Sequence, residues 1–555
     1  MQNKVKKNSF IGGIAVLMFS QGLIKILGLI YTLYLVNREG FGDSGNAIYA
    51  SGYQIYAMLL TLSSIGVPNA ISKLISEKVA VGNFKEAHRI FKISLATFLI
   101  IGLTGTLILC LGATYISNNL LQIPEAKITL ITLSPAIFFV AIASVFKGYF
   151  NGMEIMKVTA KSQIIEQCCK TFFTIGIVEI IASLSKNSTK CMAAGATIAT
   201  SLATIFGFLY LLYYYYLCRK NFGNIIKNSV YVPKERVLKI IKNILKVSIP
   251  ISLSAIMASL TKNIDSVTVV RFLKNYMSIS DAKLQYGILS GKIETLVALP
   301  LSLNIAFSTA LVPAISSAKA KGNTQEISKK ISFSILIGML IGLPCTFGMN
   351  IFAKEILDLL FPNANQGIEI LKISSISIIF AIISQTISGA LQGMGKVFKP
   401  AKAYGIGIII KIISNIILLK NQNLGAKGAA IGTVLCNFTA FIILYYELIK
   451  NTNIKLNINK CIIKPIFATI IMSVTSFKLF LILKEYLIQK IALIIIITFA
   501  VIIYFLGIII FRIISLKDLK QLASQKIIWI LNKRTKICKK YDLKTLIVLN
   551  INERK

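Results

Sequence analysis

Lys147-Gly148-Tyr149-Phe150-Asn151-Gly152-Met153 (KGYFNGM) closes one long apolar run, and Ser388-Gly389-Ala390-Leu391-Gln392-Gly393-Met394 (SGALQGM) closes another at a shift of 241. Two further echoes keep the same order. Gly82-Asn83-Phe84-Lys85-Glu86 returns as Gly322-Asn323-Thr324-Gln325-Glu326, shifted by 240, each after a Val-Pro plus Ala-Ile-Ser element at Val67 to Ser72 and Val312 to Ser316. Ala193-Ala194-Gly195-Ala196-Thr197 meets Ala429-Ala430-Ile431-Gly432-Thr433, shifted by 236. Three echoes in one order at nearly constant spacing argue for two homologous halves.

The halves are membrane bundles. The chain has 555 residues, 55% hydrophobic, with a mean hydropathy of +0.73, and apolar windows of about twenty residues recur from end to end. Lipid admits only helices or closed barrels. Segments such as Ile93 to Leu111 are apolar throughout and do not alternate, so they read as helices. The expected fold is an all-α polytopic membrane protein of about fourteen transmembrane helices. It divides into a first six-helix bundle (1–220), a basic cytoplasmic linker (221–246), a second six-helix bundle (247–450), helices 13 and 14 (451–512) and a basic cytoplasmic tail (513–555). Because six is even, both bundles keep one orientation, a parallel repeat whose pseudo-axis lies along the membrane normal. Two such bundles meeting face to face leave a central cleft, and rocking opens it to alternate sides.

Lys/Arg-rich segments at the N-terminus (Lys4, Lys6, Lys7), the second loop (Lys73, Lys78, Lys85, Arg89, Lys92) and the sixth (Arg219 to Lys246) set the orientation, with both termini cytoplasmic. The loop around Lys186 and Lys190 runs against this trend. The stretch Phe10 to Val36 is too long for a signal h-region and lacks a small-x-small cleavage site, so it reads as a retained first helix. The formal charge of +40 is scattered between apolar spans, which argues against a nucleic-acid partner. Nine cysteines without a C-x-x-C pair and a single histidine, His88, leave no pattern for a metal site and make hydrolytic catalysis a poor fit. The expected chain is not an enzyme; no cofactor or catalytic residue is expected.

Charges within the spans are the candidate site, since an ionisable group in mid-bilayer costs about 2.5–3.5 kcal/mol and normally faces protein or water. Lys25 lies roughly 22 Å into the first helix at 1.5 Å per residue. Asp265 falls at 25 plus 240, so the repeat places both toward the shared cleft. Lys262 stands three residues before Asp265, where a local ion pair is the competing reading. Lys292, Glu294, Arg271 and Lys411 complete the expected cavity residues, with Glu179 a further candidate and an interfacial anchor the alternative for Arg271. Asp265 either couples transport to Na⁺ or H⁺ or neutralises a lysine, and the membrane potential acts on any step that moves these charges. Tyr49, Tyr53 and Tyr56, at i, i+4, i+7, suit helix packing or an aromatic belt, or stacking on sugar. In KGYFNGM the glycines are expected to stop the helix, Lys147 to reach the headgroups and Asn151 to satisfy freed backbone groups.

Val145-Phe146-Lys147-Gly148-Tyr149-Phe150-Asn151-Gly152-Met153, followed by Ser162-Gln163-Ile164-Ile165-Glu166-Gln167, resembles the signature of the stage V sporulation protein B-like polysaccharide transporters. That family is a branch of the multidrug/oligosaccharidyl-lipid/polysaccharide (MOP) exporter superfamily and includes lipid II flippases. Gly66-Val67-Pro68-Asn69-Ala70-Ile71-Ser72-Lys73-Leu74 and, in the second half, Tyr286-Gly287, Gly291 and Leu311-Val312-Pro313-Ala314-Ile315-Ser316 resemble it too. The resemblance covers about residues 8 to 512. It implies a bacterial cytoplasmic-membrane flippase that moves a polyprenyl-diphosphate-linked saccharide, lipid II foremost, from the inner to the outer leaflet. Membrane lipids and cell-wall synthesis proteins are the partners it implies. The alternatives are a cation-coupled multidrug exporter, an exporter of another polysaccharide precursor and a nontransporting scaffold. Lys25-Ile26-Leu27-Gly28 fits the front of a first-helix motif of the lipid II flippases, but Tyr31-Thr32 stand where that motif has Arg-Asp. At the eighth helix, Thr295-Leu296-Val297-Ala298-Leu299-Pro300 lacks both charges of the corresponding element.

Overall fold

The computed structural model describes residues 10–61, 66–80, 82–153, 155–227, 236–320, 323–452 and 457–513. The N-terminal lysines, Gly322 and the tail from 514 lie outside them. The first half holds α1 (Phe10–Asn37), α2 (Gly42–Thr61), α3 (Val67–Ala80), α4 (Phe84–Tyr115), α5 (Ala126–Gly152), α6 (Met156–Leu184) and α7 (Thr189–Lys227). The second holds α8 (Val237–Leu273), α9 (Ile279–Gly287), α10 (Glu294–Ala320), α11 (Thr324–Ile351), α12 (Ala353–Leu360), α13 (Ile368–Gly393), α14 (Phe398–Leu418) and α15 (Lys427–Thr452). Helices α16 (Lys464–Tyr486) and α17 (Gln489–Ile510) follow. Among the described residues every regular element is helical, and ten helices are long and apolar enough to cross a membrane. Fourteen crossings require α1, α2, α6 and α8 as well. These four carry Lys25, Asp43, Lys170, Lys262 and Asp265 into the bundle interior.

The repeat is visible in the packing. Helix α6 lies on α7 and α1, as α14 lies on α15 and α8; α5 packs on α3, α4 and α7, as α13 packs on α10, α11 and α15. The sequence echoes sit at matching structural points. Asn83 and Asn323 cap α4 and α11, each side-chain oxygen accepting from the backbone N–H of the Glu three residues on, at 3.1 and 3.0 Å.

The KGYFNGM motif ends its helix as expected, α5 stopping at Gly152 and α13 at Gly393, and its glycines serve helix packing as well. A Cβ on Gly148 would meet Ile71 Cβ at 2.8 Å, and one on Gly152 would meet Ile75 Cβ at 2.8 Å. In the second half, Cβ atoms on Gly389 and Gly393 would meet the carbonyls of Ser308 and Val312 at 2.7 Å. Spaced four apart, the glycines lie on one face and let α5 approach α3, and α13 approach α10, closely enough to pack backbone on side chain. Lys147 is half-buried and pairs with Glu166 at 3.6 Å, so it is tied to α6 and does not reach freely for headgroups. Asn151 accepts from the Thr159 hydroxyl at 2.8 Å, tying α5 to α6.

Two boundaries differ from the sequence reading. The polar stretch Asn37 to Asn46 (NREGFGDSGN) reads as a loop between the first two spans but is helical from Gly42, and Asp43 and Asn46 are buried. The linker region is entered from both sides by helix, α7 to Lys227 and α8 from Val237, while 228–235 lie outside the described residues.

Candidate functional site

Helices α1 and α2 of the first bundle face α8 and α10 of the second across a cavity of about 200 Å³. Lys25 and Tyr31 reach it from α1, Tyr49 and Tyr53 from α2, Lys262 from α8 and Glu294 from α10. Lys25 is exposed on this wall and, among the described residues, has no carboxylate at ion-pair distance. Lys262 pairs with Glu294 at 3.2 Å, and Gln54 donates to the same carboxylate at 3.3 Å. The local Lys262–Asp265 pair is therefore not formed. Three residues along a helix turn the two side chains about 60° apart, and they address different helices.

Asp265 points away from the cavity into the second bundle. Its Oδ2 takes the Lys411 ammonium at 2.6 Å and its Oδ1 the Asn415 amide at 3.0 Å, while Lys411 also donates to Thr433 at 2.8 Å. Both charged side chains are 1% exposed. Removing one partner of such a pair costs about 3–5 kcal/mol, because the other charge is left buried alone.

Lys292 was expected in the cleft and instead seals one end of it. It is fully buried, pairs with Asp43 of α2 at 2.9 Å and donates to the Ala364 carbonyl at 2.5 Å. It sits in a wide π-type turn at Ile288–Ile293, between α9 and α10. Here the bundles touch without room for side chains. A Cβ on Gly287 would overlap the Asp43 carbonyl, and one on Gly291 would overlap Asn46 Nδ2. Asn46 donates to the Gly287 carbonyl at 3.1 Å. At the same end Glu125, just before α5, takes Lys283 of α9 at 2.6 and 2.7 Å. Burial raises the Glu125 carboxyl, but the hydrogen bonds and charge of Lys283 outweigh it and hold the group below its ordinary value.

Arg271 is exposed near the end of α8, outside the cavity. Glu179 is also outside, held by Arg38 through two hydrogen bonds at 2.9 and 3.0 Å and by the Tyr34 hydroxyl at 2.5 Å.

The sequence reading missed Lys170 and Asp43. Lys170, on α6, is 5% exposed and lies within 4.2, 4.8 and 6.0 Å of the ring centroids of Tyr53, Tyr31 and Tyr49. Tyr49 and Tyr53 stack with centroids 5.5 Å apart, so this pair belongs to the cavity wall and not to an aromatic belt. Lys170 sits mid-helix as Lys25 does, and the same depth argument applied to α6 would have found it. Asp43 was hidden because it lies in what reads as a polar loop.

The interior charges now add up. Among the described residues in and beside the cavity, Lys25, Lys170, Lys262, Lys292 and Lys411 are five cations, and Asp43, Asp265 and Glu294 are three carboxylates, each paired with one lysine, while the part-buried Lys147–Glu166 pair cancels itself. Five minus three leaves two positive charges, on Lys25 and Lys170. Both belong to the first bundle.

Among known proteins, the family model described as Polysaccharide biosynthesis protein matches residues 10–319, and the one described as MatE matches residues 250–417. The chain is 25% identical over 469 residues to the Lipid II flippase MurJ of Bacillus subtilis (strain 168), spanning 81% of this chain and 83% of that one. It is 25% identical over 438 residues to the Stage V sporulation protein B of the same organism, spanning 77% and 81%. Of solved structures, the lipid II flippase MurJ in an inward closed conformation superposes with a TM-score of 0.67 at 16% identity, over 90% of this chain and 99% of that one. An inward-facing multidrug resistance MATE family transporter of the MOP superfamily gives 0.62 at 16% identity, over 79% and 98%. At these identities the structural likeness is one of fold.

Proposed function

The chain belongs to the polysaccharide biosynthesis protein family of the MOP superfamily, and on that premise we propose that it is an alternating-access flippase for a polyprenyl-diphosphate-linked saccharide, lipid II foremost. The observation that carries this reading is a cavity between two bundles, deep in an apolar protein, with a net excess of two cations around it. A diphosphate brings about two negative charges into a low-dielectric cleft, where unpaired charge is prohibitive. Lysines suit a site that must also release its cargo, being point charges and not bidentate forks. A cation-coupled drug exporter calls for the opposite polarity. The 25% identity to a lipid II flippase over 81% of the chain agrees with this reading.

The cavity of about 200 Å³ is below the roughly 300–1,000 Å³ that drug-sized ligands occupy, so it fits the diphosphate but not the saccharide. Transport then requires the bundles to part. With both termini cytoplasmic by the positive-inside rule, the end sealed by Asp43–Lys292 and Glu125–Lys283 faces outward, and its opening releases the cargo. Asp265 serves as the counter-ion of Lys411 in this account, since both its oxygens are occupied within the protein. The driving influence is the membrane potential acting on the two excess charges.

Depletion and complementation test the reading. In cells depleted of their own lipid II flippase, this chain is expected to restore outward exposure of lipid II, and Lys25→Ala is expected to abolish the rescue at equal membrane abundance. Failure of the unmodified chain overturns the function, whereas full rescue by Lys25→Ala overturns the site.

A further inference from the structure

The internal repeat lets each bundle serve as the reference for the other. Lys170 and Lys411 are equivalent by sequence, because the shift of 241 that relates the glycine motifs also aligns Ala160-Lys161 with Ala401-Lys402 and position 170 with 411. What each lysine faces differs. Lys411 meets the carboxylate of Asp265 on α8 at 2.6 Å; Lys170 meets the ring of Tyr31 on α1, with the centroid at 4.8 Å.

Tyr31 and Asp265 are also the matching positions of their helices. Leu35 and Val36 are 1% exposed, Val269 and Val270 0% exposed, and aligning these pairs sets α1 against α8 at a shift of 234. This brings buried Thr32 onto buried Ser266 and Tyr31 onto Asp265. The shift of 240 that paired Lys25 with Asp265 is therefore not the register in which these helices pack. The first bundle thus carries the lysine of the second without its carboxylate. A phenol stands in the carboxylate's place, and two more tyrosines close over the ammonium.

We propose that Lys170 is a second anion-binding residue, and that the negative charge missing from the first bundle is supplied by the ligand. The ligand class is a diphosphate, one phosphoryl group on Lys25 and the other on Lys170. Tyr31 and Tyr53, which line the cavity with Lys25, hold the ammonium by their ring faces while the site is empty and give way to phosphate oxygens when the bundles part. Two separated point charges, Lys25 on the wall and Lys170 behind its tyrosines, distinguish a diphosphate from a monophosphate. The inference rests on the flippase reading and deepens it.

The purified full chain in nanodiscs free of anionic lipid is tested with undecaprenyl diphosphate, undecaprenyl phosphate and inorganic pyrophosphate at constant ionic strength. The unmodified chain is expected to bind undecaprenyl diphosphate at least tenfold more tightly than the monophosphate. Pyrophosphate binding as tight as that of the lipid would assign the site to a free anion and not to a lipid headgroup, and would overturn the lipid assignment. Lys170→Met is expected to lose at least tenfold on the diphosphate and less than twofold on the monophosphate, with Lys170→Arg restoring the preference. Because the charge in the empty cage has no carboxylate, Lys170→Met is also expected to raise the apo melting temperature. A Lys170→Met protein that keeps the diphosphate preference, or that melts earlier than the unmodified chain, overturns the proposal and leaves the flippase reading standing. An unmodified chain that binds neither phospholipid undermines the flippase reading itself.

Discussion

Lys262, Asp265 and Lys411 show how little the position of a charge in sequence says about its partner. Lys262 and Asp265 share a helix within one turn, yet one reaches Glu294 across the cavity and the other Lys411 in the bundle core. Asp265→Asn is expected to destabilise the folded protein by about 3–5 kcal/mol, since it strands the Lys411 ammonium. Adding Lys411→Met to it is expected to recover most of that loss, as replacing a whole buried pair by apolar groups is often neutral. Thermal unfolding in detergent checks both, and a double variant no more stable than the single one contradicts the pairing. The depth argument for buried charge made Lys25 legible from sequence alone. The tyrosines around Lys170 were also visible as an i, i+4, i+7 stripe on α2, but that they enclose a lysine depends on α1, α2 and α6 meeting, which no local spacing encodes.

Glycine spacing gave a different lesson for the helices. KGYFNGM lies at the end of an apolar run, where glycine normally marks a helix end, and the repeat of the motif was readable without its meaning. The structure supplies that meaning: two glycines four apart admit a neighbouring helix, once in each bundle. Gly393→Leu is expected to force α13 away from α10 and to cost at least the 1–3 kcal/mol typical of overpacking; Gly405→Leu, at a glycine on α14 with open space around it, is expected to be tolerated far better. Comparing their melting temperatures distinguishes a packing role from loss of glycine flexibility. The Asn83 and Asn323 caps were likewise present in the sequence echo, as Asn followed three residues later by Glu, a spacing that signals a helix start.

The two bundles are equivalent in fold and unequal in charge, and under the proposed function that inequality is what the membrane potential acts on. The bundle count and the parallel repeat followed from the sequence because hydropathy and spacing are properties of the chain itself. The Asp43–Lys292 closure did not, because it joins residues 249 apart through a surface that exists only once the bundles meet. With two uncompensated cations, the empty cleft is positive and is drawn toward a negative cytoplasm; loaded with a diphosphate it is close to neutral. A potential of 100 mV acts with roughly 2.3 kcal/mol on each charge that crosses the full field, so it acts chiefly on the return of the empty carrier. The most direct measurement is therefore the rate at which the reconstituted chain carries a fluorescent polyprenyl-diphosphate disaccharide across proteoliposome membranes. The account predicts multiple-turnover translocation that quickens when the cytoplasmic side is negative, does not respond to a Na⁺ gradient and disappears in Lys25→Ala; no translocation by the unmodified chain, or an undiminished rate in that variant, would contradict it.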